Sequence, residues 1–154
     1  SHLEEMYPGV RFLRVDGRQP LPFPDKHFDI AFSNAVIEHV GNREKQRIFL
    51  REMVRVARRF YITTPNRLFP IEVHTGVPLL HYLPLSIYRS ILRRSRFHYW
   101  SAEEHLNMLT EPELYRLFPQ GVARTVEFSG IGWGLLQSNL IAYGTDDGTP
   151  TESS

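Results

Sequence analysis

The hydrophobic pattern along the chain switches several times between strand-like runs and helix-like stripes. Residues 3–7 (LEEMY) read as the end of a helix stopped by Pro8-Gly9, and residues 10–17 (VRFLRVDG) as a strand anchored by Val10, Phe12, Leu13 and Val15 and broken at Gly17. After a proline-punctuated loop, 18–27, comes FDIAFSN (28–34), an apolar run of the kind buried in a parallel sheet. Asn42 is placed to cap a helix, in which Phe49, Leu50, Met53, Val54, Val56 and Ala57 form one apolar stripe. RFYITTPN (59–66) is a further strand, ended by Pro65. TEPEL (110–114) is a capping signature, with Thr110 as the cap and Glu113 three residues on; the helix it opens reaches Phe118-Pro119. RTVEFS (124–129) and NLIAYG (139–144) are closing strands around a glycine-rich loop.

This order predicts an α/β fold whose sheet is mostly parallel, with an antiparallel pair at the C-terminal end. One domain spans 1–144, with an insertion at 67–100 and a polar, flexible tail at 145–154. The insertion is rich in proline and aromatics. Within it Pro84 to Arg96 reads as a candidate helix with Leu85, Tyr88, Ile91 and Leu92 on one side and four arginines elsewhere. It is a candidate lid over an acceptor pocket, a contact with a membrane surface through 84–96, or plain packing onto the sheet.

Composition narrows the chemistry. The chain has 154 residues, 42% of them apolar, which suffices for a core. The net charge of +1 gives no global field for nucleic acid. Arginine recurs at 43, 47, 51 and 55, which reads as a solvated helix face with Glu44–Arg47 and Glu52–Arg55 pairs. With no cysteine there is neither a disulfide framework nor thiolate chemistry, in keeping with a cytoplasmic protein. No run of about 18 apolar residues is long enough to span a bilayer.

Ligands of open parallel sheets bind beyond the carboxyl ends of the strands. Three such ends can be read here, at Asp16-Gly17, Ser33-Asn34 and Thr64-Pro65-Asn66; all are small or polar, which suits close approach of a ligand. An adjacent acid–imidazole pair, Glu38-His39, follows the second of them.

The stretch VDGRQPLPFPDKHFDIAFSNAVIEHV resembles the central motif of class I S-adenosylmethionine-dependent methyltransferases of the broad type-11 group. ITTPNRLFPIEVHTGVPLLHYLP and NMLTEPELYRLFP are similar to a subset of that group, and the likeness covers roughly residues 8–144. The resemblance implies a Rossmann-like methyltransferase sheet, with S-adenosylmethionine as cofactor and a small-molecule, saccharide or lipid-linked acceptor. Asp16 and Gly17 would line the adenine pocket. Ser33, Asn34 and Ala35 would pass the methionine and ribose portion, and His39 would stand on the acceptor side as the catalytic base. Some related O-methyltransferases, small-RNA 2′-O-methyltransferases among them, hold a divalent ion with Glu-x-x-Glu-His and a later histidine. Glu38, His39 and His74 match part of that set, but Ala35 stands where its first acid would be, so no metal is expected.

The family's order implies that the first two strands, with the glycine-rich loop and helix between them, would not be found in this sequence. The spacing of Gly130, Gly132 and Gly134 does not replace that loop, because only LLQSN separates it from the next strand. Weak or absent cofactor binding and an inactive chain are therefore expected. Open sheet edges would follow, covered by strand 10–16 moving beside strand 28–34 or by homo-oligomerisation. The alternative function is a non-catalytic remnant serving as an interaction or structural module.

Overall fold

The computed structural model describes residues 2–15 and 19–146. Helix α1 (His2–Met6) is followed by a long irregular stretch, and regular structure resumes at β1 (Phe28–Asn34). A 3₁₀ turn (Ile37–His39), α2 (Arg43–Val56) and β2 (Ala57–Pro65) come next. Helix α3 (Leu85–Arg93) lies in the insertion, and α4 (Glu111–Leu117), β3 (Ala123–Ser129) and β4 (Asn139–Thr145) complete the order.

The strands form one mixed sheet in the order β1-β2-β4-β3. β1 and β2 are parallel, from Phe28↔Ala57 to Asn34↔Thr63. β4 is antiparallel to both β2 and β3, with Pro65 and Ser129 each opposite Asn139. The closing antiparallel pair therefore stands as the pattern predicts, and β4 extends to Thr145 at the start of the expected tail. Asp146 continues it by donating its backbone N–H to Arg58 O at 3.1 Å; residues 147–154 lie outside the described residues.

Side-chain caps define both helices on the inner layer. Asn42 Oδ1 accepts from Lys45 N–H at 3.0 Å, and the Thr110 N–H donates to Glu113 Oε2 at 2.8 Å. Leu50 and Val54 of α2, Leu114 and Leu117 of α4, Phe60 and Ile62 of β2, and Leu140 and Ala142 of β4 make one buried cluster. Of the expected α2 stripe, Phe49 and Met53 are only half-buried. The arginine face is not simply solvated. Arg43 bridges α2 to α4 by donating to Met108 O and Glu113 Oε1, both at 3.0 Å, and Arg55 donates to Leu21 O and Phe23 O, fastening the preceding loop.

Two expectations about the first strands fail. Residues 10–15 form no strand, and Val10, Phe12, Leu13 and Val15 are exposed. A strand is held by its ladder, and this segment pairs with no other strand. It does not move beside β1, and the Phe12 backbone N–H donates instead to the Glu4 carboxylate of α1, at 3.2 Å. β1 itself is an edge strand with only Ser33 buried, because it has a neighbour on one side only.

The glycine-rich loop is a connection between β3 and β4. Gly132 has φ +122°, and a Cβ there would lie 2.2 Å from Leu136 O, so the tight return of the chain requires glycine.

Candidate active site

Beyond the carboxyl end of β1 the chain turns sharply. Ala35 adopts φ +51°, the left-handed region that side chains disfavour, while its N–H donates to Thr63 O at 3.0 Å and prolongs the β1–β2 ladder by one residue. The 3₁₀ turn that follows drives Ile37 and Glu38 inward and leaves His39 half-buried. Buried Gln46 of α2 fixes this turn, donating from Nε2 to Ile37 O at 3.0 Å and to Asn107 O at 2.8 Å. Asn107 in turn donates its N–H to Glu38 O at 2.7 Å.

The Glu38 side chain is 0% exposed. Its Oε2 accepts from the Thr64 hydroxyl at 2.8 Å, whereas its Oε1 is buried without a hydrogen-bond partner. A carboxylate oxygen left so is costly, at about 1–3 kcal/mol or more. His39 Nε2 lies 3.7 Å from that oxygen.

The insertion completes the site. Glu72 is buried, and its carboxylate accepts from His74 N–H at 2.9 Å, from Thr75 N–H at 2.8 Å and from the His74 ring Nδ1 at 2.6 Å. Burial pulls the Glu72 carboxyl upward, but the bonds from His74 and Thr75 outweigh it and hold the group below the usual carboxylate range. His39 Nδ1 lies 2.6 Å from His105 O. Since a carbonyl and a carboxylate can only accept, both histidines carry their proton on Nδ1. In the neutral rings both Nε2 atoms then present electron pairs, and they face each other at 3.2 Å. The Trp100 ring packs over the pair, 5.6 Å from His39 and 4.8 Å from His74.

The site residues named from the sequence fall as follows. Ser33 is buried and its Oγ has no hydrogen-bond partner. Asn34 is exposed and accepts from the Thr63 hydroxyl; Ala35 is exposed on the turn. His39 stands where an acceptor-side group is expected, a few residues beyond them. Asp16 and Gly17 lie outside the described residues. Although the absence of an acid at Ala35 argued against a metal, ligand atoms of Glu38, His39 and His74 all come within 4.8 Å of one another. Glu72 and Trp100 were not singled out. The Glu-x-His spacing of IEVHT could have pointed to Glu72, since a carboxylate reaches the amide and ring two residues on.

Residues 2–59 match the family model described as a methyltransferase domain. The fold resembles a SAM-dependent methyltransferase, possible histamine N-methyltransferase, from Thermotoga maritima, with a TM-score of 0.57 and 19% identity over 95% of this chain and 70% of that one. It also resembles the PH0226 protein from Pyrococcus horikoshii OT3, with a TM-score of 0.56 and 16% identity over 94% of this chain. The chain has the class I methyltransferase fold. It spans 64% of the length of the Pyrococcus protein. No curated protein matches it. The tips of β1 and β2 lie side by side, with Asn34 opposite Thr63, and the Glu38–His39 step lies just beyond them.

Proposed function

We propose that the chain serves S-adenosylmethionine-dependent methyl transfer to a small-molecule, saccharide or lipid-linked acceptor. One observation carries this reading: the parallel tips of β1 and β2 lie side by side, Asn34 opposite Thr63, with His39 one turn beyond and the insertion folded over it. The residues present fit the cofactor at one checkable point. Ser33 Oγ, at the strand tip, is a buried polar atom that lacks a partner, as a ligand-facing hydroxyl does in the absence of its ligand.

The cofactor supplies an electrophilic methyl group on a sulfonium. Ser33, Asn34 and Ala35 would line its amino-acid and ribose side. Methyl transfer is an in-line displacement, so the protein's main task is alignment. His39 is suited to hold the acceptor's polar group, because its Nδ1 bond to His105 O fixes the ring and, in the neutral imidazole, makes Nε2 the accepting atom. Trp100 shields that side from water. Exposed Leu85, Ile87 and Ile91 on α3 support an acceptor, or a surface, of apolar character near the insertion. A second reading, a non-catalytic interaction module, is favoured by the uncovered apolar face of β1.

Titration with S-adenosylhomocysteine, followed by backbone NMR shifts, separates the two. Even weak binding shifts the amides of Ser33, Asn34 and Ala35 and of residues 37–39. Absence of shifts at millimolar ligand, or shifts confined to the opposite end around Phe28 and Ala57, sinks the methyltransferase reading and leaves the module.

A further inference from the structure

We propose that Glu38, His39 and His74 form a binding site for one divalent first-row transition cation, with Glu72 orienting His74 from behind. Three independent features of the cluster point to a missing positive charge. The first is the pair of Nε2 electron pairs, 3.2 Å apart with both ring protons committed elsewhere. Two lone pairs at that distance repel unless a metal ion or a proton sits between them. The second is Glu38 Oε1, a fully buried carboxylate oxygen with no partner, 3.7 Å from the nearer of those nitrogens. The third is the carboxylate–histidine arrangement of Glu72 and His74, the support that metal-bound imidazoles commonly have.

The geometry is close to that of a filled site. Metal–nitrogen bonds of about 2.0–2.1 Å in tetrahedral arrangement place neighbouring ligand atoms about 3.3 Å apart. The histidine nitrogens already meet that separation; Glu38 Oε1 needs to close by a few tenths of an ångström toward His39, and by up to about 1.5 Å toward His74, since the three ligand atoms lie within 4.8 Å of one another. Two imidazoles and one carboxylate leave further coordination positions open to water or to oxygen ligands, the donor set of catalytic rather than structural sites. The donor set differs from the four-residue pattern in the sequence resemblance. Ala35 offers no ligand, and Glu72 spends both oxygens on hydrogen bonds, so it acts as a positioning residue. Use of the cation to hold an acceptor oxygen rests on the methyltransferase reading; the cation site itself does not.

Cobalt(II) titration of the whole chain near neutral pH, read by visible absorption and calorimetry, tests the site. The expected result is one equivalent bound at micromolar affinity, with the ligand-field bands of a nitrogen–oxygen site. Glu38→Gln, which preserves shape, and His74→Ala should each weaken binding by about tenfold or more, and Glu72→Gln by about 10–100-fold while leaving the folded circular dichroism unchanged. Absence of saturable binding below millimolar cobalt would overturn the proposal. So would binding that Glu38→Gln and His74→Ala leave intact, since the metal would then sit on other histidines. A shared proton is the rival explanation. It predicts an Nε2–H···Nε2 hydrogen bond between the two rings in histidine NMR that cobalt fails to displace, and that result would also end the proposal. Cobalt binding that survives without any S-adenosylhomocysteine shifts would sink the methyltransferase reading alone, and the reverse outcome would sink the cation site alone.

Discussion

β1 and β2 run side by side in the same direction with comparably apolar sequences, yet they live in different environments. Ile62 of β2 is 0% exposed, whereas Ile30 and Phe32 of β1 are 58% and 66% exposed. β2 is paired on both edges and lies beneath the layer that α2 and α4 make with Phe118 and Val122. β1 is paired on one edge only, and α2 faces Val15, Gln19 and Leu21 across a cavity of about 650 Å³ that Ile48, Phe49 and Met53 also line. An apolar pattern states which residues gain by burial; neighbours decide whether they are buried. The candidate site lies just beyond the tips where these two strands meet.

Truncation at the two strands gives the largest contrast. Ile62→Ala removes side-chain volume from a filled core and is expected to cost about 2–5 kcal/mol. Ile30→Ala removes atoms already in water and should change stability by no more than about 0.5 kcal/mol. Urea unfolding of the two variants measures both values. Similar losses would mean that β1 is covered in solution, and the contrast would disappear.

A covering partner is the next point to examine. Among the described residues β1's outer edge has no strand beside it, and a flat apolar edge strand is a template for association. The chain is expected to self-associate through this edge as its concentration rises. Phe32→Lys, which puts a charge on the exposed face, should weaken that association by about tenfold, or about 1.4 kcal/mol. Light scattering across a concentration series reads the effect. A monomer at every concentration would show that β1's exposure is tolerated without a partner.

The same contrast explains what the sequence could and could not disclose. α2, α4, β2, β3 and β4 were legible because local signals and tertiary environment agree there. Asn42 and Thr110 cap where the pattern places them, and the stripe from Leu50 to Val56 meets strands that need covering. The segment at 10–15 has strand composition but no ladder, and nothing in a run of apolar residues reports whether a partner strand exists. In the site, His39 was legible from the Glu-His step after a strand. Its pairing with His74 was not, because 35 residues separate the two and the insertion must fold back over the strand tips to join them. Glu72 stayed hidden for a different reason: its role is to bind His74 and Thr75, and that emerges only once the turn at 72–75 exists.

The smallest expected effect comes from two carboxylates, one in each environment. Glu113 joins α4 to α2 in the closed half. Burial pulls its carboxyl upward, but the Thr110 N–H and the Arg43 guanidinium outweigh this and hold it below the usual range. Glu52 borders the cavity in the open half and is likewise lowered, chiefly by its hydrogen bonds from Arg55 and also by the Leu21 N–H. A carboxylate lowered by folding contributes stability above its unfolded value of about 4.3, and that stability is lost as pH falls through the lower folded value. Acidification should therefore weaken both ties, with different consequences. Glu113→Gln is expected to flatten the acid dependence of global unfolding, because α2 and α4 share one core. Glu52→Gln should leave global unfolding nearly unchanged and instead speed hydrogen exchange at the Leu21 amide, which loses a charged acceptor and opens locally. Urea titrations near neutral and near acid pH, with exchange at Leu21 as the local probe, distinguish these responses. Equal global shifts for the two variants would show that the open and closed halves unfold as one unit, and the contrast between β1 and β2 would then be one of exposure alone.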